Sequence, residues 1–560
     1  MKKFQNFPLY FFLVNLITLL IFLTLFNFKY PIRYTNMGGD NIWQSASTVK
    51  YVNIWLEEGA AKMHFTACEN YRSIEFQSFN DRVPFISYPS GHIVLVWLCA
   101  KLAGKSMINI SFVKHLQTVL FAIESLLFSS FIFILLWKHK IGSLLSDAII
   151  SVSTVVLWML LPVNAWYLPN VFFTDQSVIF YVMIFLLLEL LLYTPQLKNH
   201  KFATIVLHIL HFVTIYAGIL TDYYFWILAF FVFLMRIIGA ALNKNEIKTI
   251  ISTGLSYAVP VVVAILTFFV QLQFVDGWLD TLIYKLKFRT GGDDSFSAIV
   301  ARLIENYTSA FTQEQRSFMF YLSLFQVVSL IIAFLTLKKG SRLRTIFTNT
   351  DISLIVAAYI SVAFQIILLK NHSAVHEFSM MKAGWCVAMT APIAAISYVR
   401  AINMGHESNG STYFLGHKIA PLIPAFGISF FIIILITGVP TSTSKYIASR
   451  DGEADYTLDE FLYRNTDYND VCFSFTNEVH YEPPMDLTIS HERVYLISTI
   501  DEVNTRFPDL SDEAVKLLLV DENAMDQNPE LKETAMEIIK RSKIRAMDKG
   551  YILYELPEDL

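Results

Sequence analysis

PLYFFLVNLITLLIFLTLFNF, residues 8–28, carries no charge over the length needed to cross a bilayer. A transmembrane helix needs about 20 mostly apolar residues, since no water in the bilayer core can hydrogen-bond exposed backbone groups. The rest of the 560-residue chain has the same character: 54% of the residues are hydrophobic and 16% are charged, against about 25% charged in soluble domains. The sequence therefore predicts an all-α polytopic membrane protein.

Charge and cysteine content argue against several other classes of protein. The formal net charge is −4 and no basic stripe is present, so no nucleic-acid partner is expected. The four cysteines, Cys68, Cys99, Cys386 and Cys472, show no C-x-x-C spacing, which supports neither a zinc site nor a disulfide framework. Pairing between Cys68 and Cys472 stays open. The apolar stretch after Lys2 and Lys3 is long and lacks a small-residue cleavage site, so we expect it to be retained as the first span.

The positive-inside rule sets the number of spans. Hydropathy offers about twelve apolar segments, of which residues 91–103 are short for a crossing. Counting that segment as a span would move the basic loops at 137–140, 198–201 and 338–344 to the outer side, against the usual bias of Lys and Arg toward the cytoplasm. We therefore predict a surface or re-entrant helix there and about eleven spans, near residues 8–28, 112–137, 143–166, 177–194, 202–220, 223–242, 249–275, 318–337, 352–370, 383–400 and 419–438.

This topology divides the chain into two parts. Residues 1–440 form a membrane module with a long first outer loop at 29–111. Residues 441–560 differ in composition, being rich in Asp and Glu, with short apolar runs alternating with helical stretches. That alternation predicts a small extracytoplasmic α/β domain.

Asp40 is the first candidate for chemistry. It follows Gly38-Gly39 soon after the first span and precedes apolar residues at helical spacing, which predicts a helix lying along the membrane surface with a carboxylate at its tip. Asp is also a favoured N-cap, so Asp40 has a structural explanation as well. The two roles are compatible, and the glycines would allow a substrate to approach closely.

Two further outer segments contain candidate residues. Tyr88-Pro89-Ser90-Gly91 opens the short apolar helix, which is also what an ordinary helix start looks like. Asp175 lies between two spans at the boundary on the same side as Asp40. That shared sidedness favours a joint role over an unremarkable loop position.

The densest polar cluster is Asn371-His372-Ser373-Ala374-Val375-His376-Glu377. His372 and His376 are four residues apart and would share one face of a helix. With Glu377 they could bind a metal, hydrogen-bond a phosphate or serve the fold alone, since His-x3-His by itself is a weak metal signal.

Basic residues on the outer side need a reason, because they run against the general charge bias. Lys287 and Arg289 lie in such a loop, where binding of an anionic lipid head or pyrophosphate competes with a plain solvated face. Glu124, Glu189 and Asp222 lie within or at the edges of spans, where ionisable residues tend to face a cavity or a partner; the sequence assigns them no role.

Taken together, these motifs resemble the GT-C superfamily of membrane glycosyltransferases, particularly its protein-mannosyltransferase-like and aminoarabinose-transferase-like branches. The resemblance covers about residues 1–400. It rests on Gly39-Asp40 before a surface-helix pattern, on Tyr88-Pro89-Ser90-Gly91 where many members have Tyr-Pro-Pro-Gly, and on an acidic residue after proline and aromatics at 169–175. The tail is similar to the variable domains of that superfamily in general character only.

The resemblance implies a mechanism and partners. The donor would be a sugar on a polyprenyl phosphate, and the acceptor a hydroxyl of a protein, lipid or glycan. Asp40 would be the general base and Asp175 would orient the acceptor or join Asp40 around a divalent cation, whose requirement the resemblance leaves open. Lys287, Arg289, His372 and His376 would hold the donor phosphate, with Tyr88 and Glu377 positioning substrate.

Two other classes of function remain as alternatives. A transporter of a lipid or polar solute would account for the spans and the intramembrane carboxylates, but less well for the long first loop and the outward clustering of polar residues. A non-catalytic scaffold or sensor would use the tail to bind ligands. For the enzyme, the expected location is the bacterial inner membrane with the active site outside.

Overall fold

The computed structural model describes residues 6–34, 39, 41–72, 77–139, 143–194, 200–292, 295–310, 313–337, 341–407, 439–452, 457–467, 470–476, 494–506 and 515–557. Within these ranges the chain is a helical bundle followed by a small sheet region, as the sequence predicts. The chain is an integral membrane protein.

Nine helices in the described part are long and apolar enough to cross a membrane, and a tenth span is counted if one bent pair is included. The eleventh predicted span, 419–438, lies outside the described residues. The spanning helices are α1 (Phe7–Thr24, continuing as a π-helix to Lys29), α4 (Ile110–His139), α7 (Thr174–Leu192), α8 (Lys201–Ile219), α9 (Tyr223–Leu242), α10 (Ile247–Leu272), α13 (Gln313–Leu335), α15 (Thr350–Leu368) and the run of α17 (Met381–Ala388) and α18 (Thr390–Glu407).

The bent pair is α5 (Leu144–Leu160) and α6 (Pro162–Asn170), which meet at 75°. The bend follows from Pro162 at the start of α6, because proline has no N–H to continue the hydrogen bonds of α5. Every residue of α6 is buried. The bend therefore carries the chain through the interior of the protein to the start of α7, where Asp175 lies.

The first loop contains α2 (Trp43–Ile54) and α3 (Gly91–Leu102), separated by a two-stranded ribbon of β1 (Ala67–Cys68) and β2 (Pro84–Phe85). Helix α3 has 12 residues, too few to cross the bilayer. The Gly91 N–H donates to the Leu220 carbonyl at 2.6 Å, and a Cβ at position 91 would collide with that carbonyl. Glycine is therefore required where α3 begins against the end of α8.

Helix α2 was expected to lie on a surface, but the structure buries it on all sides. Its polar residues contact backbone groups instead of water: the Ser45 hydroxyl accepts from Phe172 N–H at 2.9 Å, and the Thr48 hydroxyl donates to the Phe172 carbonyl. Trp55, the residue that follows α2, is fully buried as well. The first loop is thus an integral part of the packed bundle.

Between α10 and α17 the chain also forms several shorter elements. They are α11 (Trp278–Thr290), α12 (Phe296–Ala310), α14 (Arg342–Thr348), α16 (Lys370–Val375) and a 3-10 turn at Glu377–Met380.

The C-terminal region begins with α19 (Val439–Arg450), which packs against α6. The elements that follow are α20 (Thr457–Asn465), β3 (Val471–Ser474), β4 (Val494–Leu496), α21 (Asp501–Arg506), β5 (Lys516–Asp521), α22 (Glu522–Asp526), α23 (Pro529–Ile539), β6 (Lys543–Asp548) and β7 (Tyr551–Glu555). The strands form a five-stranded mixed sheet in the order β4-β3-β5-β7-β6, with β3, β4 and β5 parallel and β7 antiparallel to both β5 and β6. Separate apolar clusters cover its two faces. All four cysteines are free.

Candidate active site at the ends of the membrane helices

A buried lysine between two aspartates forms the centre of the site. Lys382 Nζ lies 2.7 Å from Asp175 Oδ1 and 3.0 Å from Asp222 Oδ1, and all three side chains are almost completely buried. Asp175 is in the first turn of α7, whose N-terminal partial positive charge favours a carboxylate. Asp222 caps α9 by accepting from Tyr224 N–H at 2.7 Å. Helix ends thus fix both carboxylates, and Lys382 on α17 joins them.

The two predicted histidines lie beside this centre. His372 Nε2 is 3.9 Å from Asp175 Oδ1, too long for a hydrogen bond, and its ring centroid is 4.8 Å from that of His376. Burial, and then the neighbouring His372, lower the pKa of His376 to about 4. His376 is therefore neutral near pH 7 and can donate one N–H to a ligand.

Arg289 provides a buried cation on another side of the site. Its guanidinium carbon lies 4.1 Å from the centre of the Tyr88 ring and 5.5 Å from that of Tyr223, a cation–π arrangement. Burial raises the pKa of Tyr88 well above its usual value, so its hydroxyl stays protonated. Lys287, two residues before Arg289 on α11, has an exposed side chain.

Glu377 is held by three donors from distant parts of the chain. Its Oε1 accepts from the hydroxyls of Tyr167 at 2.7 Å and Tyr446 at 2.9 Å, and its Oε2 accepts from Arg450 Nη2 at 2.8 Å. Both carboxylate oxygens are occupied. Glu377 thus connects α6 with α19, next to the histidines.

Asp40 lies outside the described residues, but both of its chain neighbours are described and both have left-handed backbone angles. Gly39 has φ +109°, and Asn41 has φ +61°, a conformation that asparagine tolerates better than most residues. Asn41 Nδ2 donates to the Tyr167 hydroxyl at 2.9 Å. A Cβ at Gly39 would lie 3.0 Å from the Trp166 ring.

An apolar groove of about 790 Å3 opens between α3, α8 and α10. Gly91 and Leu220 line it, so it reaches the segments that carry Tyr88 and Asp222. Its volume is within the usual range for small-molecule sites. Its walls include Leu95, Leu98, Tyr216, Leu266 and Phe274.

Sequence reasoning missed Lys382 and Arg450. Lys382 could have been noticed as a cation at the edge of a predicted span, where ionisable residues are costly and usually paired. Asp222 was noticed without a role. Arg450 gave no such signal, because a basic residue at the end of a helix is common.

The other intramembrane carboxylates lie apart from the site. Glu189 accepts from His211 at 2.8 Å and Arg236 Nε at 2.9 Å, and also from the Tyr257 hydroxyl. Glu124 is buried, and neither of its oxygens has a hydrogen-bond partner among the described residues. Within those residues, no group of three or more His, Cys, Asp or Glu side chains is arranged to hold a metal ion.

The chain is a polytopic helical membrane protein whose fold is similar to that of a solved membrane oligosaccharyltransferase, which confirms the fold class predicted from the sequence. Archaeal oligosaccharyltransferase AglB from Archaeoglobus fulgidus, in complex with an inhibitory peptide and a dolichol-phosphate, matches with a TM-score of 0.51 at 10% identity over 99% of this chain and 75% of that chain. The same oligosaccharyltransferase tethered to an acceptor peptide containing the NVT sequon gives 0.51 at 11% identity, over 99% and 74%. ArnT from Cupriavidus metallidurans bound to undecaprenyl phosphate gives 0.49 at 10% identity, over 98% of each chain. No protein-family model and no curated protein sequence matches the chain significantly.

Proposed function

We propose that this protein is a glycosyltransferase that moves a sugar from a polyprenyl-phosphate donor to an acceptor hydroxyl at the membrane boundary. The observation that carries the proposal is the convergence of Asp175, Asp222, Lys382, His372 and Arg289 in one buried site beside an apolar groove. A lipid-linked sugar needs both features, because its chain stays in the bilayer while its phosphate and sugar need polar contacts. The AglB complex with dolichol-phosphate supports this class of donor.

The groove between α3, α8 and α10 would take the polyprenyl chain, and the phosphate would lie at Arg289, His372 and His376. Arg289 is the strongest candidate, because it stacks on tyrosine rings and pairs with no carboxylate within the described part of the chain. Lys287, being exposed, would attract the phosphate from the solvent side. Donors at these positions would stabilise the charge that develops on the leaving phosphate.

The reaction is a direct displacement at the anomeric carbon with inversion. Asp40 accepts the proton of the acceptor hydroxyl, the acceptor oxygen bonds to the anomeric carbon, and the bond from that carbon to the phosphate oxygen breaks. The polyprenyl phosphate leaves with the electron pair. Asp175 is engaged by Lys382, which suits it to orienting the acceptor more than to taking up a proton.

For the same reasons we propose a functional division of the chain, with residues 1–440 as the catalytic membrane module and 441–560 as an appended domain. Both the site and the appended domain would face the outside of a bacterial inner membrane, in keeping with the cytoplasmic placement of the basic loops. Labelling with a membrane-impermeant thiol reagent of single cysteines introduced at Lys540 and at Lys248 tests this, and only position 540 should react in intact cells.

The proposal is tested by assaying sugar transfer with the purified full-length chain. A panel of radiolabelled polyprenyl-phosphate sugars serves as donor and a membrane extract as acceptor, with and without EDTA. Wild type should transfer one of the sugars, and Asp40→Asn should transfer it about 10²- to 10⁴-fold more slowly while unfolding at the same temperature. Asp280→Asn, which alters an exposed carboxylate on α11, is the matched control and should behave as wild type.

Equal transfer by wild type and Asp40→Asn would remove Asp40 from the mechanism and leave the enzyme class intact. Absence of transfer from every donor, combined with movement of a lipid or solute across proteoliposomes, would replace the proposal with a transporter.

A further inference from the structure

We propose that Glu377 and Arg450 are positioning residues: they hold Gly39 and Asn41, the two chain neighbours of Asp40, so that the start of the C-terminal region supports the active site. This inference rests on the proposed function and deepens it. It also revises how Glu377 acts, from contacting the substrate to acting through other residues.

Both carboxylate oxygens of Glu377 already accept hydrogen bonds. Two tyrosine hydroxyls and one guanidinium occupy its two oxygens at 2.7 to 2.9 Å. Burial, and then the charge of Glu377, raise the pKa of Tyr446 well above its usual value, so Tyr446 remains a donor. A carboxylate engaged in this way is poorly placed to bind substrate, but its negative charge orients every group that donates to it.

Tyr167 connects Glu377 to Asn41 through its hydroxyl group. Its hydroxyl donates to Glu377 Oε1, so a lone pair of the same oxygen is left to accept from Asn41 Nδ2 at 2.9 Å. The Asn41 side-chain carbonyl in turn accepts from Trp43 Nε1 at 3.2 Å. The orientation of Asn41 is therefore fixed at both ends, and one end depends on Glu377.

The backbone at Gly39 is closely packed. A Cβ there would lie 3.0 Å from Trp166 and 3.1 Å from the Arg450 carbonyl oxygen, and a Cβ at Gly452 would lie 3.4 Å from Gly39 N. Gly39 is held between α6 and the end of α19. Residues 450–452 thus contact it directly, in addition to the contact through Glu377 and Tyr167.

Arg450 contributes a positive charge to this network. Its Nη2 lies 2.8 Å from Glu377 Oε2 and brings a positive charge to this mostly buried carboxylate. Removing one partner of a buried ion pair is costly, because the remaining charge loses its compensation. Glu377 would then move toward water or take up a proton, and Tyr167 would lose the partner that orients its hydroxyl toward Asn41.

Loss of this network is expected to affect kcat and the KM for the donor differently. The donor phosphate is assigned to Arg289 and the histidines, which this network does not include. Loss of the network should therefore lower kcat, which depends on the segment carrying Asp40, and leave KM for the donor nearly unchanged.

The test compares Glu377→Gln, Arg450→Gln and the double variant in the full-length protein. We expect each single variant to lower kcat about 10- to 100-fold with KM for the polyprenyl-phosphate sugar within about twofold, and the double variant to be no worse than the singles, because the two residues act as one unit. Arg450→Lys should recover part of kcat. The matched control is Arg545→Gln, which removes an arginine paired with Asp470 in the C-terminal sheet region and should leave kcat unchanged.

A second measurement does not depend on activity. Hydrogen–deuterium exchange of the peptide covering residues 37–46 should be faster in Glu377→Gln and Arg450→Gln than in wild type and Arg545→Gln. Wild-type exchange in folded Arg450→Gln protein, or a loss confined to donor KM, would overturn the inference. Faster exchange in a chain that transfers no sugar would contradict the proposed function and leave the positioning of the segment intact.

Discussion

Helix α7 carries a buried carboxylate near each end, and the two differ in how completely they are satisfied. Glu189 accepts from a histidine, an arginine and a tyrosine, and its charge is matched by Arg236. Asp175 shares one lysine with a second aspartate, and among the described residues its other oxygen has only a 3.4 Å contact with the Thr174 hydroxyl. His372 lies 3.9 Å away, beyond hydrogen-bonding distance. About 20 Å of helix separates the two carboxylates.

Charge inside the membrane therefore does not by itself mark an active site. The Glu189 network contributes to the fold, since both oxygens of Glu189 already accept hydrogen bonds. An incompletely satisfied one retains the capacity to bind something else, and in this protein it lies beside a groove. Changing one carboxylate at a time tests whether Glu189 and Asp175 differ in role.

The largest effect is expected from Glu189→Gln. The substitution leaves the Arg236 charge buried without a counterion, which costs about 3–5 kcal/mol. We expect a large fall in the thermal unfolding temperature and in the amount of folded protein. Glu124→Gln is the matched control, because it neutralises a buried carboxyl that has no hydrogen-bond partner among the described residues and should be neutral or stabilising. Equal loss in both variants would contradict the distinction between them.

The next effect is on activity. Asp175→Asn should lower kcat about 100-fold, or about 2.7 kcal/mol of transition-state stabilisation, because the group that orients the acceptor loses its charge. Stability should change little, since Lys382 keeps its ion pair with Asp222. Transfer assays and thermal unfolding of the same preparation measure both quantities, with Asp147→Asn, a buried aspartate in the first turn of α5, as control. Unfolding of Asp175→Asn would place this carboxylate with Glu189 as a structural group.

Much of the fold could be predicted because each span is a local property. Length and hydropathy define an apolar helix without knowledge of its neighbours, and the described spans lie where the sequence puts them. Helix α2 shows the limit of this reasoning. It was predicted to lie along the membrane surface, yet it is buried, and its Ser45 and Thr48 side chains bond to the backbone of Phe172. A polar residue predicts a partner but does not say which one.

The site could be predicted in part for the same reason. Sidedness groups Asp175 with His372, because both follow from the order of the spans. The pairing of Lys382 with Asp175 and Asp222 depends on how three helix ends pack, which one sequence does not contain. The occupation of Glu377 by Arg450 links residues 73 positions apart, across a stretch that is not described.

The smallest effect is expected on the pH dependence of stability. It distinguishes a histidine of the Glu189 network from a histidine of the site. His211 donates to Glu189, whereas His376 pairs with no carboxylate within the described ranges. The pKa of His376 is lowered to about 4 in the folded protein, against about 6.5 when unfolded. The unfolded chain therefore binds the proton first, and stability falls as the pH drops from about 6.5 toward 4. His376→Asn should remove on the order of 1 kcal/mol of the loss between pH 7.5 and pH 5, seen as a smaller drop in unfolding temperature. The same drop in wild type and His376→Asn, with exposed His200→Gln as reference, would mean that His376 binds its proton equally in both states.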